Sequence, residues 1–345
     1  MVKSALRHRD ISATCGLSLL FIILSFFLSP PQFKFASPSH EGLNNAAPLV
    51  PREHDYDTTA GAASDSDTTT QELPRHVAQQ QPPRKTWLEW LRDDVHVNHT
   101  DLPLFACCFI SGLCDSVTVN ASNVFVSMQT GNTIFLALGA ASLPYGDPYR
   151  WLRSLVSISS FALGCFTFAH TRHFQPKRKA TLAVSFLVQA AAIWIAAILA
   201  QTGVVADYNR RNVPSFNDDL GAATQSHHSH IVLLPVALIA WQFGGQIVSS
   251  RVLGYNEVPT CVLTSVYCDL LSDPKILAPL KENPKRNRRF LAILLLLLGG
   301  IVSGWIQRSA AGTTTVLWIA GFIKVVIAVC WLAWPSKTLE PKSEK

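Results

Sequence analysis

Long apolar runs separated by short polar stretches fill most of this chain between residues 102 and 334, and they restrict its fold more than any other feature. Eight segments can be read, at 102–119, 123–141, 152–170, 180–202, 231–250, 258–271, 290–306 and 313–334. A membrane-spanning helix needs about 20 mainly apolar residues. Only 15% of the residues are charged, whereas a soluble domain has about 25%. The sequence therefore predicts an all-α, polytopic membrane protein with six to eight core membrane segments.

The same pattern argues against other classes of protein. The apolar runs show no strict alternation of apolar and polar residues, so an outer-membrane β-barrel is not favoured. The net charge of +6 is not interpreted as a nucleic-acid footprint, because basic loop residues in a membrane protein mainly set its orientation. The predicted partner is the lipid bilayer, and no nucleic acid is expected.

Composition divides the chain into four parts. Residues 1–29 are a basic N-terminus plus an apolar anchor or signal segment. Residues 30–100 form a polar tail that is predicted to be disordered, with a short amphipathic surface helix near 87–94. Residues 102–334 are the membrane domain, and residues 335–345 are a polar C-terminal tail. The eight cysteines show no CxxC pairing, so we expect packing residues rather than a metal site or disulfides.

Two polar motifs lie inside the apolar runs. The first covers residues 112–132 and the second covers residues 242–269. Polar side chains within a membrane segment normally face the protein interior or a water-filled cavity. The candidate substrate- or ion-binding residues are therefore Asp115, Gln129, Thr130, Asn132, Gln242, Gln246, Thr260, Thr264, Ser265 and Asp269.

The two motifs also suggest a weak internal repeat. Gly112 precedes Thr130 by eighteen positions, and Gly244 precedes Thr264 by twenty. The segment 258–271 is short for a span, and the linker before 123–141 is very short, so each motif pair is interpreted as one broken or re-entrant helix. This interpretation gives three-plus-three inverted repeats, whereas eight full spans would give four-plus-four parallel repeats.

Structural alternatives stand beside each functional interpretation. Asp115 would bind a cation or carry a proton, or would cap the break between two half-helices. The residues Gln129 to Asn132 would line a cavity, or would hold helices together. Asp269 would bind ligand, or would end a helix at the membrane surface. Arg251 with Glu257 is interpreted as an interfacial ion pair.

Three further features concern charge and topology. Lys324 is the only charge well inside the last segment, which makes it a buried-charge candidate with Asp115 or Asp269 as its hypothetical partner. Asn98 begins the sequon Asn-His-Thr and is a glycosylation candidate if it faces a lumen. If every core segment crosses once, the positive-inside rule and the basic N-terminus disagree, so the orientation stays open. The cluster His227, His228 and His230 is interpreted as a solvated loop, and no metal site is predicted.

The motifs resemble a known family. The pattern Gly112-x-x-Asp115, the run from Phe125 through Gln-Thr-Gly to Asn132, and the stretch from Gly244 to Ser265 are similar to the YoaK-like integral membrane proteins, domain of unknown function 1275. The resemblance covers about residues 102–334 and implies a membrane domain of six or more helices. It implies no substrate and no catalytic residue. This chain has Leu263-Thr264-Ser265 where many relatives have Thr-Gly.

The pattern of paired polar breaks favours a secondary transporter or permease for a small polar solute, with Asp115 as a coupling residue for a proton or cation. The alternative is a non-transporting membrane scaffold or assembly protein. No Walker-type loop, GxSxG, HExxH or dinucleotide fingerprint occurs, so neither an enzyme nor a cofactor is predicted.

Overall fold

The computed structural model describes residues 86–143, 149–205, 208, 231 and 233–337. The predictions for the apolar segment 11–28, for the polar tail up to residue 85, for the last residues of the C-terminal tail and for the histidine cluster fall outside these residues. Within the described part the protein is helical, and isolated bridges are its only β structure.

Nine α-helices follow one another in the described ranges, and six of them are long and apolar enough to cross a membrane. The six candidate spans are α2 (Asp101–Ser122), α4 (Arg150–Ala169), α5 (Lys179–Gln201), α6 (Leu233–Leu253), α8 (Pro284–Arg308) and α9 (Gly312–Ala333). The other three are α1 (Trp87–Arg92), α3 (Gln129–Gly139) and α7 (Thr264–Leu271). The predicted polytopic helical fold is confirmed.

Helices α3 and α7 are too short to cross a bilayer. They contain 11 and 8 residues, or about 16 and 12 Å at 1.5 Å per residue, against about 30 Å of hydrocarbon. The segments 123–141 and 258–271 therefore do not span. Each half of the domain has a span, a break with a short helix, and two more spans, as the interpretation with broken helices predicts. An odd number of spans per half makes the two repeats inverted.

The packing of the spans follows this repeat. The most extensive contacts pair α2 with α8, α4 with α6, and α5 with α9. The counterparts in the two halves are α2 and α6, α4 and α8, and α5 and α9. When each helix is exchanged for its counterpart, the pair of α2 and α8 becomes the pair of α6 and α4. The pair of α5 and α9 is unchanged. The helices of a symmetric inverted repeat must pack in this way, so the weak likeness of the two motifs reflects a real duplication of the fold.

Four glycines mark equivalent points in the two halves. A Cβ on Gly112 would collide with the carbonyl oxygen of Leu296, and one on Gly244 would collide with that of Phe161. Leu296 and Phe161 each lie three residues before a further glycine, Gly299 and Gly164. A Cβ on Gly299 would collide with the carbonyl oxygen of Phe109, which lies three residues before Gly112. A Cβ on Gly164 would collide with that of Trp241, which lies three residues before Gly244. Small residues let membrane helices approach this closely.

The span count places the connections on two faces. The terminal face holds 86–100, 170–178, 254–283 and 334–337, and the opposite face holds 123–143, 202–205 and 309–311. Backbone hydrogen bonds tie the terminal face together, since Val95 N–H donates to Lys177 O (3.0 Å) and His96 N–H donates to Pro335 O (2.9 Å). The start and end of the domain therefore lie on the same side.

The short helix α1 lies on the terminal face. Thr86 and Glu89 form a reciprocal capping box at its start. Trp87 and Leu88 are 70% and 51% exposed, and Lys179 Nζ lies 4.0 Å from the ring centroid of Trp90. These features suit a helix at the membrane surface, where tryptophan is favoured.

Candidate functional site

The first break, loop 1 (residues 123–128), folds back along α2 and is held by Asp115. The buried carboxylate accepts hydrogen bonds from the backbone N–H groups of Val126 (2.8 Å) and Ser127 (2.9 Å) and from the Ser127 hydroxyl. Asp115 lies seven residues before the end of α2 at Ser122, or about 10 Å at 1.5 Å per residue. Loop 1 therefore re-enters the domain from the opposite face. These contacts correspond to the structural alternative for Asp115, in which its carboxylate caps the break between two helices.

Asn132 and Gln129 brace loop 1 from the start of α3. Asn132 is fully buried, accepts from Phe125 N–H (3.1 Å) and donates to Phe125 O (2.7 Å). Gln129 donates to Val126 O (3.1 Å) and accepts from Asn132 (2.8 Å). Ser157 of α4 also donates to Phe125 O (2.7 Å). These side chains satisfy backbone groups that the break leaves without helical partners.

The second break, loop 2 (residues 254–263), re-enters from the terminal face. Ser111 Oγ donates to the backbone oxygen of Thr260 (2.8 Å), and Gln246 Nε2 lies 3.6 Å from Cys261 Sγ. Gln246 is seven residues before the end of α6 at Leu253, the same distance that separates Asp115 from the end of α2. Thr260 has a left-handed φ of 63°, a strained conformation for a β-branched residue.

A polar cluster lies where the two loops converge, and we call Ser111, Gln189, Gln246 and Lys324 the midplane cluster. All four are fully buried. Ser111 is the eleventh of 22 residues in α2, and Gln189 is the eleventh of 23 in α5. Gln246 is the fourteenth of 21 in α6, and Lys324 is the thirteenth of 22 in α9. Because each residue is near the middle of a span, the cluster lies near the centre of the bilayer.

Lys324 has two glutamine partners. Its Nζ donates to the Oε1 atoms of Gln189 and Gln246, each at 2.6 Å, and lies 4.9 Å from the ring centroid of Phe186. The expected pairing with Asp115 or Asp269 does not occur, because the Asp115 carboxylate is hydrogen-bonded to loop 1. Asp269 is half exposed on the terminal face, 3.7 Å from Arg289.

The amide orientation of Gln246 links the lysine to loop 2. Its Oε1 accepts from Lys324, while its Nε2 donates to Ser111 Oγ (2.9 Å) and to Cys107 O (3.2 Å). Ser111 in turn donates to Thr260 O. A continuous chain of hydrogen bonds therefore runs from the only charge in the cluster to the backbone of a re-entrant loop.

Gln242 is a buried polar residue whose hydrogen-bonding capacity is unused, and the hydroxyl of Ser154 and the indole N–H of Trp331 share this property within the described residues. It is fully buried on α6, one turn before Gln246, and neither Nε2 nor Oε1 has a partner within the described residues. An unsatisfied buried polar group costs about 1–3 kcal/mol. Such a group in a native structure calls for an explanation, such as strain, a functional role, or a bound water or ion.

The other predicted residues lie away from the cluster. Thr130 is exposed on α3, and Thr264 and Ser265 are exposed in the first turn of α7. The predicted Arg251–Glu257 ion pair does not form. Arg251 donates to Asn256 (2.8 Å), and Glu257 pairs with Arg288 (3.0 Å), because the carboxylate lies beside the first turns of α8. Asn98 is exposed on the terminal face.

Sequence reasoning missed Gln189 and Ser111. Gln189 carried a usable signal, since it is an amide near the centre of the apolar segment 180–202. It also stands 135 residues before Lys324, the separation that relates Gly164 to Gly299 (299 − 164 = 135). Ser111 carried no comparable signal, because a serine is common in membrane helices and can bond to its own backbone.

The terminal face carries a separate surface cavity of about 470 Å³ between α7 and α8, lined by both acidic and basic side chains. Asp273 Oδ1 accepts from Lys275 N–H (2.9 Å) and from the Asn283 amide (3.0 Å). These hydrogen bonds hold the pKa of Asp273 below its usual value, and nearby Arg289 acts in the same direction. Arg289 pairs with Asp273 (3.3 Å) and lies 3.7 Å from Asp269. This cavity lies on the terminal face, apart from the midplane cluster, so it is not the candidate site.

Comparison with known proteins places the chain in a family. A search of curated proteins and a search of solved structures each found no match. The family model described as "Protein of unknown function (DUF1275)" matches residues 103–330. The match covers four candidate spans completely and most of α2 and α9, and it includes both re-entrant loops and the midplane cluster. It confirms the resemblance drawn from the motifs, and the chain belongs to the DUF1275 family of multi-pass membrane proteins.

Proposed function

We propose that this protein is a secondary transporter, or permease, for a small polar solute. The main support is the convergence of two re-entrant loops, one from each face, on residues one turn apart in α2. Many secondary transporters are built from inverted repeats with broken helices around a midplane polar site. The proposal involves no catalytic step.

The hydrogen bonds suggest how such a site would open. Loop 1 is held by Asp115 and Asn132, and loop 2 is held by Ser111 through Thr260. Displacement of loop 1 would connect the midplane cluster with the opposite face, and displacement of loop 2 would connect it with the terminal face. In this structure Ser127 and Cys261 are both buried, which corresponds to a closed state.

Cysteine accessibility tests the proposal. In a background from which the other cysteines have been removed, Ser127→Cys reports on loop 1 and the native Cys261 reports on loop 2. Asn123→Cys and a retained Cys268, both at exposed positions, are matched controls on the two faces. We expect a membrane-impermeant thiol reagent to reach the two buried positions from opposite sides, and modification of one to suppress modification of the other. Protection of both buried positions while both controls react would overturn the proposal.

Uptake into proteoliposomes then tests activity directly. With a solute found by screening, Asp115→Asn and Asn132→Ala should reduce uptake, because each weakens the attachment of loop 1. Wild-type uptake by both variants would count strongly against a role for loop 1 in transport.

A scaffold or assembly protein remains the second candidate, and one observation favours it. Asp115 and Asn132 direct their hydrogen bonds to the backbone of their own chain, as packing residues do. This alternative expects motif variants to lose stability without a selective loss of uptake.

A further inference from the structure

The positive charge of Lys324 has no neutralising partner in the described part of the chain. Its hydrogen bonds go to two neutral amide oxygens, from α5 and α6, and its third neighbour is the ring of Phe186. From α2 it faces Cys107 and Cys114, and from loop 2 it faces Cys261. The amides solvate an ammonium group but cannot neutralise it, and a buried charge without a counter-ion is costly.

The Asp115 carboxylate does not compensate for this charge directly. Two backbone N–H groups and one hydroxyl donate to its two oxygens. These contacts fix the carboxylate against loop 1, one turn of α2 beyond Ser111. The cluster therefore combines one cation with neutral donors and acceptors.

Gln242 supplies an independent indication of a ligand. Its amide is fully buried with no partner, and it lies one turn from Gln246 on α6. Residues four apart on a helix have Cβ atoms about 5–6 Å apart on one face. A ligand of a few heavy atoms could therefore contact both the lysine and this amide. The amide N–H would suit an anionic oxygen, and its carbonyl would suit a hydroxyl or amine.

We propose that the midplane cluster binds a small organic carboxylate, whose anionic group pairs with Lys324 and whose polar end meets Gln242. This inference rests on the proposed function and names its substrate class. The charge complementarity selects an anion, and burial at the middle of four spans excludes a lipid headgroup as its source. The ligand reaches the cluster only when loop 1 or loop 2 is displaced.

Ligand-induced stabilisation of the purified full-length protein in detergent is the first test. The probes are sodium acetate and sodium lactate, with sodium chloride at equal ionic strength and uncharged glycerol as comparisons. We expect a saturable rise in Tm with a carboxylate, about 5 °C or more at a hundredfold excess over Kd. Stabilisation equal to that by chloride, or no stabilisation, would overturn the carboxylate assignment.

Two variants locate the effect. Lys324→Gln removes the charge while retaining a polar side chain, and its matched control is Lys177→Gln, which removes the same charge from an exposed position. Gln242→Leu removes the unpartnered amide and should fold well, because no hydrogen bond is lost. We expect Lys324→Gln and Gln242→Leu to lose the carboxylate response and Lys177→Gln to retain it. A full response in Gln242→Leu would exclude Gln242, and one in Lys324→Gln would exclude the site.

The same probes separate this inference from the proposed transport. Carboxylate binding without alternating exposure of Ser127→Cys and Cys261 would support the site and overturn the transporter. Alternating exposure without carboxylate binding would support a transporter and overturn the anionic substrate.

Discussion

Ser111 and Asp115 stand one helical turn apart on α2, and each is hydrogen-bonded to a loop that enters the domain from a different face. Ser111 Oγ meets Thr260 O of loop 2, and Asp115 Oδ1 meets Val126 N–H of loop 1. One helix therefore anchors both breaks within about 6 Å along its axis, at 1.5 Å per residue. This arrangement allows the two loops to be tested separately.

Substitutions at the two anchors should loosen different loops. Asp115→Asn replaces a charged acceptor of three hydrogen bonds and should cost about 2–3 kcal/mol, with faster hydrogen exchange confined to loop 1. Ser111→Ala removes the bond to Thr260 and should cost about 1 kcal/mol, with faster exchange in loop 2. Thermal unfolding and hydrogen-exchange mass spectrometry measure both effects. Increased exchange in the same loop for both variants would contradict the separate anchoring.

The glycine contacts predict matched effects in the two repeats. Gly164→Ala and Gly299→Ala should each destabilise the protein by about 1–3 kcal/mol, because the new methyl group meets a backbone oxygen of the neighbouring span. Gly304→Ala is the control, since nothing lies within 4 Å of its Cβ position. Alanine favours helix by about 1 kcal/mol over glycine, so the control should be neutral or stabilising. The thermal stability of each variant, solubilised in detergent, measures these effects. Equal effects in all three variants would refute the packing argument.

The distribution of basic residues predicts the orientation once α3 and α7 are removed from the span count. On the opposite face and its span ends, the described basic residues are Arg150, Arg153 and Arg308. The terminal face and its span ends carry Arg92, Arg172, Lys177, Arg178, Lys179, Arg251, Lys275, Lys281, Lys285, Arg286, Arg288, Arg289 and Lys337. The positive-inside rule places the terminal face in the cytosol.

Glycosylation mapping tests this orientation. The sequon at Asn98 lies on the terminal face and should stay unmodified in microsomes. Asp219→Thr completes an Asn-Asp-Thr sequon at Asn217, in the connection between α5 and α6, and should be modified. A glycosidase-sensitive mass shift at Asn98, with none for Asp219→Thr, would reverse the assignment.

Acid should loosen the connection between α7 and α8 through Asp273. Since the folded-state pKa of Asp273 is lowered, its contribution to stability is complete above the unfolded value of about 3.9 and is lost as the pH falls through the folded value. A fluorophore on the exposed Cys268, as the single cysteine, should report a change in this range. Asp273→Asn should remove that titration, and an unchanged curve would assign it to another group.

The sequence was sufficient to predict the helical membrane fold, because apolar run length and low charge are direct consequences of bilayer thickness. It also identified Asp115, Asn132, Gln246 and Lys324 as polar residues in costly positions. It could not predict their partners, since Lys324 and Gln189 are 135 residues apart and meet only after α5 and α9 pack. The exposure of Thr264 and Ser265 depends on the direction in which the short helix α7 leaves loop 2, which no local pattern encodes.

The contact between Gln189 and Lys324 joins equivalent positions of the two repeats, so it lies where the pseudo-twofold axis passes between α5 and α9. A homodimer of half-length chains inserted in opposite directions would place the same side chain twice at that point. Two lysines would repel one another, and two glutamines would carry no charge. Two halves with different sequences, as in this fused chain, allow one half to carry a lysine while the other keeps its acceptor. Divergence of the two halves is therefore a physical requirement for a single positive charge on the axis.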